Sequence, residues 1–290
     1  MPSLRIHLDH CPCGSGRVIS DCCLRSCGNL TPSTTASSIS NDRCYANSLD
    51  NCTREISGEH WISANLLRII NPTGNVTVGG APWQKEGETK SISIRSLQSK
   101  VLCTQHNAAL SPLDAIGGRF FGAFPSSKQS KPVSSVNLYC GIDFERWMLK
   151  VLCGGVFSGV LQPAGGPLKN WRPPRTWLEY VFGETPFSPP LGLYFCQKPG
   201  DRVAGANSVS IALMAADSEP YGLSLHVHGL LFVLTTIPLN LNSGKMLEWG
   251  AIYRPSTLSI SGSDCSIVLI FDWGAEHQGG EVKVNWISGV

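Results

Sequence analysis

Residues 101–114 read VLCTQHNAALSPLD. The apolar run that ends at Cys103 has the content of a short strand, and HNAALSPLDAIGGRFFGAF after it has the content of a helix, with Pro112 placed in its first turn. Cys103 and His106 therefore straddle a strand-to-helix junction, with Asn107 beside them. Upstream, GEHWIS at 58–63 offers an adjacent acid and imidazole, Glu59 and His60, within a segment (EHWISANLLRII) that reads as helical. Gly/Pro turns at NPTGN and GGAPW follow, then the strand-like run KSISIRSL. Further upstream lie Cys44 and Cys52.

These pieces together resemble the HNH endonuclease family, whose ββα-metal fold pairs cysteines with an acid-His step, a hairpin, and a Cys-x-x-Cys-Asn or Cys-x-x-His-Asn step leading into a helix. The resemblance runs from Cys44 to Asp114. It implies a structural zinc on Cys44, Cys52, Cys103 and His106. It also implies a catalytic Mg²⁺ or Mn²⁺ on the oxygens of Glu59 and Asn107, with His60 as general base. The chemistry requires such a set: phosphodiester hydrolysis needs a base near neutral pKa and a hard cation on oxygen ligands. Asp114 is a further carboxylate within reach of that metal, or a residue that packs the helix. The chain departs from the pattern in three places. Seven residues separate Cys44 from Cys52 where two are usual, Ser63 follows Ile62 where a proline is common, and Gln98 and Ser99 stand where an asparagine orients the histidine.

At the N-terminus, CPCGSGRVISDCC resembles the SEC-C zinc motif through Cys11, Cys13, Gly14, Ser15, Gly16, Cys22 and Cys23. A short segment without a core needs a metal staple to fold, and zinc takes four N/S ligands. Cys27 competes as a ligand, and His10 is a weaker candidate. The family likeness implies a docking module without chemistry of its own.

The chain has 290 residues, 42% hydrophobic and 15% charged, with a formal charge of +2. That is enough for a large core, and it gives no sign of a strongly basic nucleic-acid binder. Twelve cysteines, eight of them before residue 104, suit metal binding in a reducing compartment. Cys140, Cys153, Cys196 and Cys265 read as ordinary buried thiols. The sequons at Asn29, Asn51 and Asn75 read as chance matches. No apolar run reaches the roughly 18–20 residues of a membrane span and no secretory signal opens the chain, so the expected location is cytoplasmic.

The expected organisation is α+β: a zinc knuckle at 1–28, a flexible Ser/Thr-rich linker at 29–41, an HNH-like ββα-metal domain at 42–124, and a strand-rich mixed α/β domain at 125–290. In that last region IDFERWMLKVLCGGVF reads as a helix with Phe144, Trp147, Met148, Val151 and Leu152 on one face. GLYFCQ, SVSIALMAA, LSLHVHGLLFVLTTI, CSIVLIFDW and VKVNWI read as strands. His226 and His228 fall on one side of a strand, as a metal pair or a polar face. Asp272, Glu276 and His277 read as loop polars. GGVFSGVLQPAGG lacks the Lys-Ser/Thr of a phosphate loop. Lys150, Lys169, Arg172 and Arg175, with Trp171 and Trp177, form a basic stretch suited to nucleic acid or to solvent.

Two functions follow. One is a metal-dependent endonuclease or nickase acting on DNA, with RNA as another substrate, in bacterial defence against phage. The other is a catalytically inactive zinc-dependent adaptor for protein or nucleic acid, docking through the knuckle or the C-terminal region.

Overall fold

The computed structural model describes residue 18 and residues 37–124, 133–183, 187–198, 202–204, 208–238, 250–263, 265–274 and 279–287. The expected knuckle residues Cys11, Cys13, Cys22 and Cys23, with His10, Cys27, Glu276 and His277, lie outside them.

The fold is mixed α+β, as expected. β1 (Ile56–His60) pairs antiparallel with β4 (Gln98–Cys103), and α2 (Thr104–Gly122) follows β4 directly. Between β1 and β4 the chain inserts α1 (Ala64–Ile70) and the hairpin β2 (Asn75–Gly79) with β3 (Thr89–Ser93). The EHWISANLLRII segment is therefore a strand end, a turn and a helix, because Glu59 and His60 are taken up by the β4 ladder. Pro112 sits mid-way along α2 and not in its first turn. The helix starts at Thr104, with Cys103 in the N-cap position and no side-chain capping hydrogen bond.

β5 (Val133–Cys140) leads into α3 (Gly141–Phe157), followed by α4 (Arg175–Phe182). The remaining strands form two five-stranded sheets. One is wholly antiparallel, in the order β11-β6-β10-β9-β8, and comprises β6 (Gly192–Cys196), β8 (Val209–Ala216), β9 (Glu219–Val227), β10 (Leu230–Thr235) and β11 (Ala251–Tyr253). The other is mixed, in the order β5-β13-β12-β14-β7, with β7 (Arg202–Ala204), β12 (Thr257–Ser261), β13 (Cys265–Asp272) and β14 (Glu281–Ile287).

α3 is buried on nearly every side, which only a central helix sustains. Trp147 packs against Gly117 of α2, where a Cβ would lie 2.6 Å from the indole. Phe120 of α2 meets Phe144, Phe232 and Phe271 from α3 and both large sheets. The buried core thus runs from Cys44 to Trp286 without a break at residue 124.

The polar positions of α3 are buried too. Asp143, Arg146 and Lys150 follow an i, i+3, i+7 spacing that would ordinarily face water, yet all are 0% exposed, as is Glu145. Each has a partner, as a buried charge requires. Arg146 meets Asp143 at 3.4 Å and donates to the Gly183 carbonyl. Glu145 binds Arg254 through two contacts, 2.7 and 3.0 Å, and accepts from Tyr180 and from the Leu193 amide. Among the described residues, no helix is long and apolar enough to cross a membrane.

Two expectations change. Residues 37–41 are not a free linker: Ser37 donates to the Cys52 carbonyl, and Asn41 Nδ2 donates to the carbonyls of Thr53 and Arg54 at 3.0 Å each. His226 and His228 do not share a strand face. β9 ends at Val227, and His228 turns the chain at φ 51° with its ring buried, while His226 stays exposed.

Candidate metal centre

Cys44, Cys52, Cys103 and His106 converge: all are buried, and one ligand atom from each lies within 4.8 Å of every other. The seven-residue gap is no obstacle. A 3₁₀ turn at Asn47–Leu49, closed by Asp50 in the left-handed region, folds the intervening chain into a compact loop. Asn47 Oδ1 accepts from the Asn41 amide at 2.6 Å and so braces that loop. Cys103 ends β4, and His106 lies in the first turn of α2.

The histidine is oriented for ligation through Nδ1. Its Nε2 sits 2.8 Å from Asn51 Oδ1, which accepts, so Nε2 carries the proton and Nδ1 is left with a lone pair. Nδ1 faces Cys103 Sγ at 3.1 Å, Cys44 Sγ at 3.4 Å and Cys52 Sγ at 3.7 Å. A zinc tetrahedron with ordinary bond lengths places sulfur and nitrogen about 3.5 Å apart. The donor set therefore fits zinc, with Asn51 as the outer partner that metal-bound histidines usually have. Asn51, taken for a chance sequon, was missed because its role depends on a loop geometry that the sequence does not display.

The thiols are strongly perturbed by one another. The Cys44 thiol beside it holds Cys103 down at about 2, while Cys44 itself is pushed far up, first by its hydrogen bond to Cys103 and then by burial. Burial, with Cys103 close by, pushes Cys52 up to about 11. Three sulfurs in one buried site share little negative charge until a cation stabilises the thiolates.

Arg172 and Arg175 of the basic stretch stay partly exposed and also brace this centre. Arg172 donates to the carbonyls of Asp42 (2.7 Å) and Cys44 (3.2 Å), and Arg175 donates to that of Ser48 (2.6 Å). Phe182 of α4 packs its ring 5.0 Å from His106. The other thiols divide: Cys153, Cys196 and Cys265 are buried, but Cys140 is disulfide-bonded and so is not an ordinary thiol.

Glu59, His60 and Asn107 lie around the same strand without a hydrogen bond joining their side chains. Glu59 points inward, is 2% exposed, and forms an ion pair with Lys150 of α3. Lys150 Nζ also lies 2.8 Å from Asp114 Oδ1 and donates to the His60 carbonyl at 2.8 Å. Ser63 donates to Asp114 and accepts from Trp147 Nε1 at 2.6 Å. Burial pulls the Lys150 ammonium down, but Glu59 and Asp114 outweigh it and the net shift is upward, so the group stays charged. Burial raises Glu59, against the pull of Lys150.

His60 is half-buried. Its Nε2 lies 3.2 Å from the Ile94 carbonyl and its Nδ1 lies 3.4 Å from Gln98 Nε2. These two contacts orient the imidazole, and burial lowers its pKa. Asn107 donates to the Gly58 carbonyl at 3.4 Å.

A comparison with known protein families, with curated proteins and with solved structures finds no match to this chain.

Proposed function

We propose that this chain is a zinc-dependent adaptor: a ββα frame stapled by a structural metal, which presents a surface to a macromolecular partner and does not itself hydrolyse a substrate. The observation that carries this reading is the state of Glu59. It is the carboxylate expected on a hydrolytic cation, and it is neutralised in the interior by a lysine that is 0% exposed. A cation at Glu59 would have to displace that ammonium from three oxygen partners. Zinc held by three sulfurs and one nitrogen has no open position for water, which is the mark of a structural site.

One observation favours a second reading, an HNH-type DNA endonuclease or nickase that uses Mg²⁺ or Mn²⁺ and serves in bacterial anti-phage defence. His60 ends a strand tied to the helix of the candidate zinc centre, burial lowers its pKa in the direction a general base needs, and Asn107 approaches the same strand at Gly58. The test is incubation of the zinc-loaded full chain with supercoiled plasmid and Mg²⁺ or Mn²⁺, wild type against His60→Ala. Intact plasmid under every metal condition supports the adaptor. Metal-dependent nicking that His60→Ala abolishes overturns it in favour of the nuclease.

A further inference from the structure

We infer that Lys150 is the resident cation of the Glu59–Asp114 pocket, an ammonium standing where the family resemblance implies a divalent metal. The inference rests on the same buried charge geometry as the adaptor reading and deepens it.

The pocket has the donor chemistry of a hard-cation site. Two carboxylates, Glu59 and Asp114, and one backbone carbonyl, from His60, converge on a single point. Oxygen donors of that kind take Mg²⁺ or Mn²⁺. Here the point is occupied by Nζ of Lys150, delivered from the central helix on a side chain with no exposure. The ammonium donates to Asp114 Oδ1 at 2.8 Å and to the His60 carbonyl at 2.8 Å, and forms an ion pair with Glu59. The Lys150 side chain has no exposure, so it is not poised to reach a substrate.

The residues expected to bind the catalytic metal therefore do not fit it while Lys150 is in place. Two charges would have to share one pocket, and like charges a few ångströms apart in a low-dielectric interior repel strongly. The pocket has an excess of negative charge over its one ammonium, so Lys150 is held as firmly as the geometry allows. Of the two carboxylates, Asp114 is the more exposed, 25% against 3% for Glu59, so it marks the side nearer solvent.

The inference is tested by Mn²⁺ titration followed by electron paramagnetic resonance on the zinc-loaded full chain. Wild type and Glu59→Gln are expected to behave alike, with no Mn²⁺ bound through Glu59; binding that Glu59→Gln leaves unchanged lies elsewhere and agrees with the inference. Lys150→Ala is expected to gain one Mn²⁺ site. The Lys150→Ala/Glu59→Gln double variant should lose that site by more than the roughly 10–100-fold that removal of an outer-shell partner costs. Mn²⁺ binding by wild type that Glu59→Gln removes overturns the inference. So does a Lys150→Ala protein that keeps its zinc and its helical signal yet gains no site. Should Lys150→Ala fail to fold, the comparison of wild type with Glu59→Gln decides alone.

Discussion

Replacing Cys103 with serine separates a metal centre from a chance cluster of thiols by magnitude. If no metal binds, the change swaps one buried thiol for a hydroxyl that loses its contact with His106, at a cost of about 1–3 kcal/mol. In a chain of this size that lowers the melting temperature by roughly 2–4 °C per kcal/mol. If zinc binds, Cys103 is one of four ligands that join the 44–52 loop, the end of β4 and the start of α2. A structural zinc of this kind supplies about 10–16 kcal/mol of apparent binding free energy near neutral pH, which matches or exceeds the whole net stability of a typical domain, about 5–15 kcal/mol. Loss of the metal would then melt the β1–β4–α2 frame, not merely soften it. Cys153→Ser is the control: Cys153 is equally buried and free, and stands apart from the cluster. The assay is zinc per chain by mass spectrometry, with thermal unfolding by circular dichroism before and after chelation. Cys103→Ser should lose one zinc and the upper part of the transition, while Cys153→Ser should keep its metal and shift by only a few degrees. Equal zinc content in wild type and Cys103→Ser, with equal modest shifts in both variants, would refute the assignment.

Asn51→Ala should weaken zinc binding by about 10–100-fold without abolishing it, measured by competition with a chromogenic chelator, because only the orientation of His106 is lost. Among the described residues His228 has no hydrogen-bond partner, and burial lowers its pKa to about 4 from an ordinary value of about 6.5. The unfolded chain therefore takes up its proton first: stability from this residue is full above about pH 6.5 and is lost as the pH falls toward 4, by about 3 kcal/mol in all. Chemical denaturation across that range should show the fall, and His228→Asn, which tolerates the positive φ, should flatten the slope. Glu145→Gln leaves the Arg254 guanidinium buried without its counter-charge and should cost about 3–5 kcal/mol, read from the denaturation midpoint.

The Cys103–His106 half of the candidate metal centre was legible because its spacing carries the information: a cysteine at a strand end and a histidine three residues on, in the first turn of a helix, reach one point wherever the fold goes, whereas Cys44 and Cys52 joined the set only through the family resemblance. The strand-rich C-terminal region was legible for a similar reason, since alternation and β-branched content mark β8, β9, β10, β13 and β14 locally. Other features were not. The polar residues of α3 follow a spacing that elsewhere means a wet face, and only tertiary packing of α4 and the N-terminal frame buries them. Arg172 and Arg175 looked like a basic patch because their acceptors are carbonyls about 130 residues away in the chain, and a carbonyl has no signature in sequence. The knuckle at 1–28 lies outside the described residues, so its cysteines stand as a sequence expectation.

The hardest case is Glu59, because strand geometry and chemistry pull it in different directions. Successive residues on a strand face opposite sides, so an acid and a histidine in sequence cannot both be turned to solvent along a regular strand. In this chain the acid turns inward, and an inward carboxylate must find a cation or protonate. Lys150 supplies the cation from 91 positions later, so nothing near GEHWIS announces it. The result is a frame pinned twice along α2. At His106 the pin is a soft-donor set of three sulfurs and a nitrogen suited to zinc; at Asp114 it is three oxygens on an ammonium. Eight residues of helix separate the pins, about 12 Å along the axis, far enough for each to hold its own end of β1 and β4. A frame pinned in this way keeps its strand and helix in register without a hard metal, and that rigidity gives Glu59 a structural reason to be there whatever the chain binds.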